Sequence, residues 1–310
     1  MKSSQLRSRT AADIDSQVAK VLRGLGNPEP PLELRLVREL LKLDRSFYNT
    51  TDDSLLRETV SRLKVAGRQI LKRPTILRDA ISASSLKALY LPDQKRILLD
   101  ESLPPLKHRW NEAHEVGHDI IPWHDGMMLG DTEHTLTMMC HAQMENEANY
   151  AAGRMLFLGD RFIAEANAST PSLKHVRQLS KAFGNTITST LWRYVAQTHI
   201  ATPLVAIVSG HPHLTKRHNG FDPLQPCRYC VESVAFKQGF GSLTEIDLFG
   251  VIVGYCGAQR GGMLGEDDVM LPGSDGNAHI FHFETFFNGH EALTLGVWLR
   301  RHATRLKVTS

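Results

Sequence analysis

Apolar residues in 11–26 (AADIDSQVAKVLRGLG) recur at three- and four-residue intervals through Val18, Val21, Leu22 and Leu25. That spacing lines one face of a helix, and Gly26 supplies a stop. NPEPP at 27–31 interrupts the chain, and further helical patterns follow over 32–48 and 54–72, the latter closed by Pro74. The period changes at 86–100 (LKALYLPDQKRILLD). Two short β-prone runs, ALYL and RILL, flank Pro92-Asp93-Gln94 and predict a hairpin.

Pro104-Pro105 punctuates, and a helix is expected through 106–121. Ile121-Pro122 ends it, because a residue before proline is pushed out of helical space. A polar loop at 125–137 precedes a strong helix over 138–157, rich in Ala, Met and Glu. A helix–turn–helix-like stretch covers 172–197, turning at Gly184-Asn185. Beyond Thr202-Pro203 the composition shifts to Gly, Val, Phe and His, with β-prone runs LVAIV, FGVIVGY and HIFHFETFF. A domain boundary is expected near 200. The pattern as a whole reads as α+β, with a helix-rich N-terminal part and a mixed or β-rich C-terminal part.

Composition changes this picture little. At 42% apolar and 22% charged over 310 residues, the chain is that of a globular protein long enough for two domains. A net charge of +3 is too mild to argue for a nucleic-acid partner. Its distribution is more telling: residues 1–110 carry about +8 and residues 111–170 about −8. The basic faces of the first helices read most simply as solvated, and otherwise as facing an acidic or nucleic-acid partner. Four scattered cysteines do not make a disulfide framework, so a reducing compartment is expected. The start lacks an apolar signal region, and no apolar run reaches the ~18 residues of a membrane span. The expected location is the cytoplasm.

The acidic block holds the chemistry. Residues 109–124 read RWNEAHEVGHDIIPWH, with His114-Glu115-Val116-Gly117-His118 as an H-E-x-x-H. On a helix, His114 and His118 share a face and can reach one zinc ion, while Glu115 stands close enough to act as general base without being a ligand. Gly117 has no side chain to obstruct packing beside the metal. A third ligand is needed. His124 has the spacing of a metzincin ligand, but Ile121 stands where the glycine of that motif belongs and no Met-turn is evident. The other source is the helix Met144-Glu145-Asn146-Glu147-Ala148-Asn149-Tyr150, and periodicity does not choose between Glu145 and Glu147.

AHEVGHDIIPWH followed by E-x-E-A-N-x-A-A resembles the ImmA/IrrE family of bacterial zinc metallopeptidases, over roughly residues 10–200. The resemblance implies a zincin-like domain in 1–200, with the helix–turn–helix-like segment included, and a C-terminal domain in 201–310 of sensory or substrate-binding role. It implies Zn2+ held by His114, His118 and Glu145, with Glu115 as catalytic base in peptide-bond hydrolysis. It also implies a protein substrate such as a helix-turn-helix repressor, linking the enzyme to transcription regulation and stress response. Met155-Leu156-Phe157-Leu158-Gly159 departs from the family's Leu-Leu-Met-Pro-like ending. The alternative is a DNA-binding or partner-binding regulator with a structural or catalytically idle metal.

Other features attract simpler readings. Cys227-Arg228-Tyr229-Cys230 is a CxxC without a second pair, so incidental cysteines are favoured over a structural metal or a redox sensor. ITSTLWRYVAQT suits a buried helix better than a groove reader, so direct nucleic-acid binding is not expected. His141 reads as a surface histidine, and Tyr150 as core. Asn149 is as consistent with orienting Glu145 as with plain packing. The basic tail at 300–307 reads as a solvated terminus.

Overall fold

The computed structural model describes residues 6–48, 88–91, 95–124 and 138–302. The expected helix at 54–72, the hairpin turn at 92–94, the loop at 125–137 and most of the basic tail lie outside these residues, as do the side chains of Cys140 and His141. The chain divides into two compact units, Met1–Asp160 and Arg161–Ser310.

In the first unit, α1 (Ser8–Gly24) buries Ile14, Val18, Val21 and Leu22, the face set by its sequence spacing. The pattern at 32–48 does not stay helical. Helix α2 (Leu34–Leu41) stops where Lys42 turns left-handed at φ 57°, and the chain continues as strand β1 (Asp44–Tyr48). Burial of Leu43 and parallel pairing of β1 with β3 override the helical period. The hairpin forms as expected, with β2 (Ala88–Leu91) antiparallel to β3 (Arg96–Asp100). The sheet order is β1-β3-β2, so β2 lies at an edge among the described strands.

Helix α3 (Pro105–Ile120) lies on β2 and β3, and helix α4 (Met138–Leu156) packs along α3. Pro105 opens α3, where its missing N–H costs nothing, and Ile121 leaves it in an extended conformation before Pro122. Ala148, Ala151 and Ala152 of α4 are fully buried. Gly117 on α3 explains how close the two helices come: a Cβ there would meet the Ala148 carbonyl at 2.8 Å. The sheet side is fastened by charge. Glu112 of α3, 3% exposed, accepts from Arg38 at 2.6 Å and from Arg45 at 2.9 Å. Two cations of the basic N-terminal segment therefore turn inward.

The second unit begins with α5 (Asp160–Asn167), α6 (Leu173–Phe183) and α7 (Ile187–Gln197). Ser172 caps α6, Gly184 ends it in the left-handed region at φ 64°, and Thr186 caps α7. An antiparallel five-stranded sheet follows in the order β5-β4-β8-β7-β6, from β4 (Leu204–Ser209), β5 (Cys227–Glu232), β6 (Gly262–Pro272), β7 (Ala278–Phe287) and β8 (Ala292–Arg301). Every residue of β4 is buried, which requires cover on both faces. Helices α8 (Val234–Phe240) and α9 (Glu245–Tyr255) close one face over Val205, Ile207, Phe281 and Phe283. Helices α6 and α7 pack against β4, β5, β7 and β8.

One expectation is corrected here. FGVIVGY is helical, not a strand: Thr244 and Asp247 form a capping box that starts α9 just ahead of it. The compact units divide after Asp160, and α6 and α7 pack on the second unit's sheet. The architecture is α+β, as the pattern indicated.

Candidate metal centre

His114 and His118 lie one turn apart on α3 and aim their Nε2 atoms at each other across 3.2 Å. Glu145 of α4 closes the group, with carboxylate oxygens 3.2 Å from His114 Nε2 and 3.5 Å from His118 Nε2. Four ligands at the usual ~2.0–2.1 Å around a tetrahedral zinc stand about 3.3 Å apart. The two histidine nitrogens are spaced like one edge of such a tetrahedron, and the Glu145 carboxylate spans them, with Oε2 facing His114 and Oε1 facing His118.

Proton accounting makes the same point. His114 Nδ1 meets Asn149 Oδ1 at 3.1 Å, and an amide oxygen only accepts. That proton is therefore on Nδ1, which leaves a lone pair on Nε2. His118 Nδ1 is likewise engaged, by His124 Nδ1 at 3.0 Å. Acceptors thus converge from three side chains, a donor set that asks for a cation. Burial alone would lower the His114 pKa, but Glu145, Glu115 and Asn149 together hold it above its ordinary value. For Glu145, burial is outweighed by His114 and His118, which hold the carboxyl well below its usual range.

Glu115 is not one of the three clustered ligands and is 6% exposed. Burial raises its pKa, and His114 and His118 only partly offset that. A backbone hydrogen bond from Tyr90 on β2 anchors the carboxylate. The Tyr90 hydroxyl bonds Asp119, one residue past His118. Tyr90 therefore ties the edge strand to the motif helix at two points, on either side of His118.

Behind the triangle lies a dry polar cluster. His124 is fully buried and its Nε2 meets Glu147 Oε2 at 3.0 Å. Glu147, 1% exposed, also accepts from Trp123 Nε1 at 2.6 Å and Gln143 Nε2 at 2.8 Å. Burial would raise the Glu147 pKa, but these three donors hold it below the ordinary value. Burial pushes His124 down to about 4, so its imidazole is neutral. Neither His124 nor Glu147 joins the triangle: the geometry groups Glu145 with the two histidines. Asn149 touches His114, and the Tyr150 hydroxyl bonds Asp15 at 3.1 Å. The parts played by Tyr90, Trp123 and Gln143 were not read from the sequence. For Gln143 a signal existed, its i, i+4 relation to Glu147 on one helix face.

Elsewhere the chemistry is quiet among the described residues. Cys227, Cys230 and Cys256 are unbridged, and burial raises the Cys227 and Cys230 thiols to about 12. Glu266, His282 and Glu284 also approach one another, but His282 pairs with Asp268 at 2.7 Å and Glu284 accepts the Leu173 N–H at 2.7 Å. In α7, Arg193 is buried and bonds Gln197 at 3.0 Å. No helix of the described residues is long and apolar enough to cross a membrane.

Residues 74–193 match the Peptidase_M78 family, described as the IrrE N-terminal-like domain. A Mycobacterium tuberculosis transcriptional regulator of known structure is similar at a TM-score of 0.49 and 14% identity, over 94% of this chain and 78% of that one. No curated protein matches the sequence.

Proposed function

Given that the chain belongs to the ImmA/IrrE family through its IrrE N-terminal-like domain at residues 74–193, we propose that it is a zinc-dependent metalloendopeptidase. The observation that carries this reading is the convergence of His114 Nε2, His118 Nε2 and the Glu145 carboxylate, one ligand atom of each lying within 4.8 Å of the others. When bound there, zinc supplies a Lewis acid that polarises a carbonyl and acidifies water. Glu115 takes the proton of the attacking water and returns it to the leaving amine. Its raised pKa suits both halves of that task. Tyr90 keeps the carboxylate aimed, so orientation does not depend on the substrate.

Strand β2 offers the place for substrate. It is an edge among the described strands, and Tyr90 on it contacts Glu115. An extended peptide adding to this edge would run beside the base, with backbone hydrogen bonds giving affinity independent of sequence. The substrate we propose is a regulatory protein of the helix-turn-helix repressor type, met in the cytoplasm; this rests on the family resemblance.

The test is metal content per chain in wild type, Glu145→Ala, Glu147→Ala and His124→Ala, paired with hydrolysis of candidate repressors. Near-stoichiometric zinc abolished by Glu145→Ala supports the reading. Zinc that survives Glu145→Ala but not His124→Ala overturns the ligand set. Zinc without cleavage of any peptide or repressor overturns the peptidase.

A further inference from the structure

The third histidine of the motif segment has a definite position and no role in the ligand triangle. It bridges His118 to a buried carboxylate, through His118 Nδ1···His124 Nδ1 at 3.0 Å and His124 Nε2···Glu147 Oε2 at 3.0 Å. All three groups are interior: His118 is 4% exposed, His124 0% and Glu147 1%. Solvent cannot stand in for a partner at His124.

The protons of this chain can be assigned in one direction only. An ionised carboxylate accepts and never donates, so His124 carries its proton on Nε2. A neutral imidazole has one N–H, so His124 Nδ1 is a lone pair. That lone pair needs a donor, and the atom facing it is His118 Nδ1. His118 therefore holds its proton on Nδ1, and its Nε2 lone pair points to His114 and Glu145. We infer that Glu147, acting through His124, fixes the tautomer of His118 and so preorganises its Nε2 as a metal ligand. Glu147 and His124 are positioning residues that touch neither metal nor substrate. Metal-binding histidines generally donate their second N–H to an orienting acceptor. Here that acceptor is another histidine, with the carboxylate one link further out.

Trp123 and Gln143 complete the device. Their donors at 2.6 Å and 2.8 Å keep Glu147 an acceptor in a dry site, where a carboxylate with one partner would take up a proton and lose its direction. His114 is served separately by Asn149 at 3.1 Å. The two histidine ligands are thus oriented from two positions of α4, the helix that also brings Glu145.

The inference rests on the metal reading above, but its test does not need the metal. In 15N-labelled, metal-free protein at about pH 8, above the ordinary imidazole range, long-range 1H–15N correlation reads each tautomer. We expect His118 protonated on Nδ1, His124 on Nε2, and a scalar coupling between the two Nδ1 atoms. Glu147→Gln keeps an acceptor oxygen and preserves this pattern, as does Trp123→Phe, which removes a different donor from the same carboxylate. Glu147→Met removes the acceptor, mixes the His118 tautomers and weakens zinc about 10–100-fold in chelator competition. A wild-type His118 protonated on Nε2 overturns the proposal. So does an unchanged His118 in folded Glu147→Met. If that variant does not fold, the wild-type tautomers and coupling decide. A wild type with the expected tautomers that binds no zinc sinks the metal reading instead.

Discussion

At the scale of single residues, Glu115 and Glu145 are carboxylates in one site pushed in opposite directions. Burial lifts Glu115, while two facing histidines depress Glu145. Glu115→Gln should therefore retain zinc and lose hydrolysis by about 10²–10⁴-fold, the range expected for removing a general base. Elemental analysis beside a cleavage assay checks both halves. His124 gives a prediction on stability. Its folded pKa of about 4 lies below the ordinary 6.5, so the unfolded chain binds more protons between those values. The contribution is full above about 6.5 and is lost as pH falls towards 4. Urea melts of metal-free protein across that window should show the loss, and His124→Phe should flatten it. Much of this site was legible in the sequence. His114, Glu115 and His118 declare themselves by i, i+4 spacing on one helix. Choosing Glu145 over Glu147 needed the packing angle of α4, because two residues turn a helix by about 200° and send the second glutamate to the far side of His118. The Tyr90 clamp was not legible, since strand-to-helix contacts leave no periodic trace.

At the scale of elements, the α3–α4 contact sets the ligand geometry. Gly117→Ala would drive a Cβ into the Ala148 carbonyl at 2.8 Å, a backbone atom that cannot swing away. The cost should be about 1–3 kcal/mol as for other overpacked sites, read as a lower Tm, and zinc should weaken because Glu145 moves with α4. Glycine at this point of the motif was readable as a clearance requirement. The segment FGVIVGY was misread for a physical reason: a short, wholly apolar run carries no period, so strand and buried helix look alike. Its flanking Thr244 and Asp247 held the answer, and Thr244→Ala should cost about 1 kcal/mol, measurable by thermal melts. The region 32–48 failed differently, because Lys42 and the pairing of β1 with β3 ended a helix that the local pattern would have continued.

At the scale of the whole molecule, several charges of the basic and acidic blocks are held in internal pairs among the described residues. Glu112 takes Arg38 and Arg45, Asp119 takes Lys95, and Arg154 takes Asp15 and Asp160. The position of the division also matters for cutting the chain. Helices α6 and α7 cover strands of the five-stranded sheet, so a fragment starting at 201 would expose Leu204, Ala206 and Leu295, whereas one starting at 161 keeps that cover. We expect the longer fragment to be soluble and cooperative in melting and the shorter one to aggregate. Composition registers where strands begin, not what covers them.

The parallel pairing of β1 with β3 has a bearing on the order of assembly. It joins residues 52 apart, as in the Arg96–Asp44 contact, whereas contacts between α3 and α4 such as His118–Glu145 span 27. Helical hairpins with near neighbours form early, and parallel strands closing long loops form late. The His–His–Glu group and the Tyr90 clamp, whose contact with Asp119 spans 29 residues, both belong to the early part, because Tyr90 lies in the local hairpin. During refolding β1 should dock last, so hydrogen-exchange protection of the β2–β3 hairpin should precede that of β1. A newly made molecule would then hold the geometry of its candidate centre before its first strand is in place.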